Sequence, residues 1–87
     1  MKPIQLLPAV ADVLFGEWDP IGVNDNEQCR DEYNGYARAL TRLLLEGADE
    51  YKLVSRLRDF TRGMGLSRSD ELHQRVARRL LALITEQ

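Results

Sequence analysis

Four groups of residues carry the side chains that chemistry uses, and their spacing decides what each group can do. Cys29 and His73 are the only residues of their kinds in the 87-residue chain. A nucleophilic pair needs the imidazole within hydrogen-bond reach of the thiol, and nothing in the spacing brings these two together. Glu27, Asp31 and Glu32 surround Cys29 in the sequence and oppose a thiolate. Asp19, Asn24, Asp25, Asn26, Glu27 and Asp31 form the second group, a run of oxygen ligands that invites a calcium reading. An EF-hand loop needs ligands at alternate positions and a glycine at the sixth. From Asp19 the alternate positions fall on Ile21 and Val23. From Asp25 the fifth and sixth positions are Cys29 and Arg30. No metal site is expected. With no Gly-rich phosphate loop, zinc spacing or oxidoreductase fingerprint, no cofactor and no enzymatic activity are expected either.

The third group is Arg68, Arg75, Arg78 and Arg79, which follow the glycine-rich stretch Gly63–Gly65. That arrangement is compatible with a helix-turn-helix DNA reader. Two features argue against it. Glu71 stands four residues before Arg75, the favourable orientation for an intrahelical pair. The chain is also acidic overall, at −2, whereas phosphate binding calls for a concentrated positive face. The fourth group is Trp18-Asp19-Pro20-Ile21-Gly22-Val23. Pro20 fixes one turn dihedral, Asp19 can accept from nearby amides, and Gly22 permits positive φ. Either this loop closes the core through Trp18, Ile21 and Val23, or Trp18 and the Asp19 carboxylate face a partner.

These groups sit on elements that are legible from apolar periodicity. Leu6, Leu7, Val10, Ala11, Leu14 and Phe15 mark a helix from about Leu7 to Phe15, with Pro8 in its first turn and Gly16 as its stop. Tyr33, Tyr36, Ala37, Leu40, Leu43 and Leu44 predict a second helix from Glu27 to Glu46, ended by Gly47. Asp49 and Glu50 open a third, whose buried stripe is Leu53, Val54, Leu57, Phe60 and Met64. Gly63 and Gly65 close it. Ser67 offers an N-cap for a fourth helix, with Asp70 three residues on. This helix buries Leu72, Val76, Leu80, Leu83 and Ile84 and shows Arg68, Glu71, Arg75, Arg78 and Arg79 on its other face. No segment alternates at period two. The expectation is an all-α single domain, 1–87, built as a compact bundle of three or four helices with an ordered Trp-Asp-Pro loop between the first two.

Composition is that of a folded domain, 44% hydrophobic and 30% charged. No apolar run reaches the roughly 20 residues that cross a bilayer, and no signal peptide is read. A single cysteine fits a reducing, cytoplasmic compartment. The charge is unevenly placed. Residues 1–50 hold ten acids against four bases, and residues 51–87 hold eight bases against four acids. Between Asp12 and Glu32 there are seven acids against Arg30 alone. Such a polarity can steer a basic partner to one side of the molecule.

The stretch Glu17-Trp18-Asp19-Pro20-Ile21-Gly22-Val23, with Asp31-Glu32-Tyr33, Tyr36, Leu40 and Gly47-Ala48, resembles a family of short helical bacterial proteins of unassigned function. The resemblance spans roughly residues 6–65, leaves the arginine-rich helix outside, and implies no catalytic residue. By size and fold, such proteins are similar to immunity proteins encoded beside bacterial toxins, including those of contact-dependent growth inhibition. The expected function is therefore a non-enzymatic interaction domain that neutralises a toxin, such as a nuclease, by binding its basic face. Asp19, Asp25, Asp31 and Glu32 would meet the basic residues, with Trp18 or Tyr33 as anchors. A small DNA-binding regulator using the fourth helix is the alternative.

Overall fold

The apolar stripes fold into four α-helices: α1 (Pro3–Val13), α2 (Asn34–Leu45), α3 (Glu50–Gly63) and α4 (Asp70–Thr85). They are seen in a computed structural model that describes residues 3–85, with side chains from Gln5 onward. No strand occurs among the described residues, so the all-α bundle of the sequence reading holds. Positions 1–2 and 86–87 of the expected 1–87 domain lie outside the described residues. Helix α4 packs against α1, α2 and α3, and Val76, Ala77, Leu80 and Leu83 supply its buried face. None of the helices is long and apolar enough to cross a membrane among the described residues.

Local chemistry explains several helix ends. Asp49 caps α3 by accepting from the Lys52 amide at 2.9 Å, which satisfies one of the orphan donors of the first turn. Helix α2 closes on Gly47, left-handed at φ 86°. The Ala48 amide donates to the Leu43 carbonyl at 3.0 Å and the Gly47 amide to Leu44 at 3.1 Å, which is the Schellman arrangement. Helix α3 repeats it with Gly65, Leu66 donating to Thr61 at 2.9 Å and Gly65 to Arg62 at 3.0 Å.

Four boundaries differ from the sequence reading. Helix α1 begins at Pro3, ahead of Leu7, so Pro8 falls inside it. Pro8 is exposed, where water can satisfy the carbonyl that loses its donor. Gly16 does not stop the helix. The chain widens into a π turn over Leu14–Trp18, and Asp19 takes the left-handed conformation instead, at φ 34° and ψ 59°. Stopping at Gly16 would have left Trp18 outside, whereas the wider turn buries Leu14, Phe15 and Trp18 together. The second helix does not start at Glu27. Asn26 accepts from the Gln28 amide at 3.0 Å and nucleates a separate 3-10 turn, Glu27–Cys29, before α2 begins at Asn34. The N-cap of α4 is Ser69, not Ser67, since its hydroxyl accepts from the Leu72 amide at 3.2 Å.

Helix α4 also buries a residue the apolar pattern did not include. His73 has no exposed surface, and neither ring nitrogen has a hydrogen-bond partner among the described residues. Burial lowers its pKa from the ordinary value; Asp70 pulls it upward and Arg58 adds to the lowering. The folded state thus holds neutral imidazole, while the unfolded chain takes up a proton below about pH 6.5. Stability is full above that pH and declines as the pH falls below it toward the lowered folded value. Urea unfolding between pH 7.5 and 5 is expected to show this decline, and His73→Leu to flatten it. An unchanged slope in the variant would mean that other groups cause it.

Candidate functional site

The Trp18–Val23 loop starts where the π turn ends, and three of its features come from one residue. Asp19 donates its amide to the Leu14 carbonyl at 2.8 Å. Its Oδ1 accepts from the Val23 amide at 2.8 Å and from the Tyr33 hydroxyl at 2.8 Å. Its Oδ2 accepts from the Asn24 amide at 3.0 Å. One carboxylate therefore gathers three donors and returns the chain across five residues. Gly22 supplies the second left-handed position at φ 71°, where a side chain would cost about 1 kcal/mol or more. The loop carbonyl of Pro20 accepts from Arg68, which ties the turn to the start of α4.

Tyr33 completes the turn from the other side. Its hydroxyl donates to Asp19 and accepts the Ile21 amide at 3.2 Å. Burial, the largest cause, and the Asp19 charge push the hydroxyl's pKa well above the usual value, against the opposing effect of the Ile21 amide. It stays a donor at any physiological pH. Beneath this network the Trp18 ring meets Tyr33 edge-on at 5.5 Å, Tyr36 at 5.9 Å and Phe60 at 6.2 Å. Such aromatic pairs add roughly 0.5–1.5 kcal/mol each beyond area burial.

These contacts decide which expected site residues can reach a partner. Trp18 and Tyr33 are each only 2% exposed, so neither offers the surface an anchor needs. The Asp19 carboxylate is occupied by donors of its own chain. Asp25, Asp31 and Glu32 are exposed and form no ion pair among the described residues, the Asp31 carboxylate accepting only a long 3.4 Å contact from the Asn34 side chain. The other acids of the stretch are paired. Arg30 bridges Asp12 at 2.8 Å and Glu27 at 2.6 Å, with its guanidinium 5.0 Å above the Phe15 ring. Glu17 pairs with Arg79 at 3.4 Å. Among the acids of this stretch, those left without a partner for their charge among the described residues are Asp25, Asp31 and Glu32.

The arginine-rich surface is paired as well. Arg78 meets Glu50 at 3.0 Å and Arg58 meets Asp70 at 3.1 Å. The expected Glu71–Arg75 ion pair does not form among the described residues; both side chains are exposed, and water outcompetes so weak a surface contact. Cys29 is half-buried on its 3-10 turn, and no hydrogen bond joins it to His73. No group of three or more His, Cys, Asp or Glu side chains is placed to hold a metal among the described residues. The sequence reading missed the Arg30 bridge and the Arg68–Pro20 tie. The Arg30–Asp12 arm and the Arg68–Pro20 tie join residues far apart in the chain, and no local pattern signals them.

Comparison with protein-family models, with curated proteins and with solved structures returned no match.

If Asp19 holds the turn, Asp19→Ala should cost about 2–4 kcal/mol, because three donors lose their acceptor. Asp19→Asn should cost less, since asparagine tolerates the left-handed backbone and keeps one acceptor oxygen. Tyr33→Phe should cost about 1–3 kcal/mol. Equilibrium urea unfolding measures all three. An Asp19→Ala protein as stable as its parent would show that the loop is held by apolar contacts instead.

Proposed function

We propose that the protein is a non-enzymatic binding module of the immunity-protein kind, whose loop tip engages the basic face of a toxin domain. The observation that carries this reading is the trio Asp25, Asp31 and Glu32. They are exposed, free of ion pairs among the described residues, and sited beside a turn that Asp19, Tyr33 and Trp18 hold in place. An acidic surface on a pre-formed loop pays little ordering entropy on association and raises the encounter rate with a cationic partner. A nuclease toxin needs cationic side chains to hold phosphates, so its working face would be complementary. The cytoplasm is the compartment proposed, where the lone Cys29 stays reduced.

The DNA-binding alternative loses support, because Arg78, Arg79 and Arg58 already face carboxylates of the same chain. Of the arginine-rich group only Arg68, already held by main-chain carbonyls, and Arg75 face no carboxylate among the described residues, a thin basis for counterion release.

The test is calorimetric titration against the product of the adjacent gene. A complex is expected whose affinity falls with salt. The triple reversal Asp25→Lys, Asp31→Lys, Glu32→Lys should weaken it by about tenfold or more, mostly through the association rate. Absence of a complex, or one indifferent to the reversal, overturns the proposal.

A further inference from the structure

Beside the start of α4 lies a small cavity of about 170 Å³, lined by Arg58, Thr61, Arg62, Leu66, Ser67, Arg68 and Asp70. Three guanidiniums share it with one carboxylate. That carboxylate, Asp70, is engaged by Arg58 at 3.1 Å. Arg68 is fixed by two main-chain carbonyls, those of Ser67 and Pro20, which hold the side chain without neutralising its charge. The side chain of Arg62 makes no hydrogen bond or ion pair among the described residues. The lining therefore holds more positive charge than its own chain compensates, in a concave site next to the Ser67 hydroxyl. The cavity also abuts the first residues of α4, whose dipole favours a negative charge there.

We infer that this cavity binds a phosphate or small phosphomonoester anion through Arg58, Arg62 and Arg68. Guanidinium forks match phosphoryl oxygens in geometry, and a phosphate carrying about −1.5 to −2 charges balances the excess. A carboxylate would offer one planar edge and half the charge. A polynucleotide fits poorly, because the site is a pocket and Arg78 and Arg79, further along α4, are paired with acids. The inference is independent of the toxin-binding proposal, which rests on residues of opposite charge that do not line this cavity.

The experiment is a ¹⁵N–¹H NMR titration of the full chain with inorganic phosphate, against chloride at equal ionic strength. Saturable shifts are expected at the Arg62 and Arg68 side-chain resonances and at the amides from Ser67 to Asp70. Arg62→Ala, which breaks no contact of the fold, should weaken binding about tenfold or more, the usual scale for one charge-assisted contact. Arg75→Ala, outside the cavity, should leave it unchanged. A parallel titration with glycerol phosphate separates the sources: tighter binding than inorganic phosphate assigns the cavity to a phosphorylated small molecule, and weaker binding to the free ion. No saturable shift with either, or an Arg62→Ala protein that binds like its parent, overturns the inference.

Discussion

The carboxylate of Asp19 is the constraint on which the rest of this structure depends. It sits at the one non-glycine position with positive φ among the described residues, a conformation in which side chains other than Asn and Asp are strained. What keeps it there is the set of donors it collects from Val23, Asn24 and Tyr33. Those bonds join the end of the π turn to the approach of α2. Without them, the segment between α1 and α2 would be a polar loop with nothing to fix its path. With them, Trp18 is driven under the loop and becomes the centre of an aromatic cluster that reaches Phe60 on α3.

Polar groups inside the bundle are treated unevenly. Thr61 donates its hydroxyl to the Arg58 carbonyl at 2.9 Å. The indole nitrogen of Trp18, the hydroxyl of Thr41 and both nitrogens of His73 find no partner among the described residues. Each is a group that folding removes from water without full compensation. His73 is the one among them whose protonation is coupled to folding, because burial lowers its pKa from the ordinary value. Its place on α4 puts it under the opposing electrostatic influence of Arg58 and Asp70.

Surface charge is organised by pairing across elements. Arg30 joins the 3-10 turn to α1 through Asp12, Arg79 joins α4 to the π turn through Glu17, and Arg78 joins α4 to α3 through Glu50. All of these side chains are substantially exposed, so each pair contributes at most about 1 kcal/mol. Their larger effect is on what remains. Pairing leaves uncompensated negative charge at Asp25, Asp31 and Glu32 and uncompensated positive charge around Arg62 and Arg68. A chain of net charge −2 thereby presents two small regions of opposite sign, and both touch the Trp-Asp-Pro turn, one through its following residues and one through the Pro20 carbonyl.

Helices α2, α3 and α4 were legible in the sequence because their apolar residues recur at helical spacing and because Asp49, Gly47 and Gly65 are local signals whose geometry needs no distant partner. The loop was legible as a turn for the same reason: Asp19, Pro20 and Gly22 each restrict the backbone on their own. Its role was not. Whether Trp18 and Tyr33 face a partner or the core depends on the π turn that replaces the stop at Gly16, and that turn is favoured only when α3 and α4 are present to cover the indole. Ser69 and Ser67 are equivalent as caps until tertiary packing sets the start of α4, and a histidine on an amphipathic helix carries no mark of burial. The sequence by itself thus determined the helices, their stripes and the existence of a turn, since these are set by contacts between near neighbours. Only the tertiary structure decided which acids and arginines keep their charge uncompensated, because ion pairs such as Arg30–Asp12 and the Arg68–Pro20 tie form between residues that folding alone brings together.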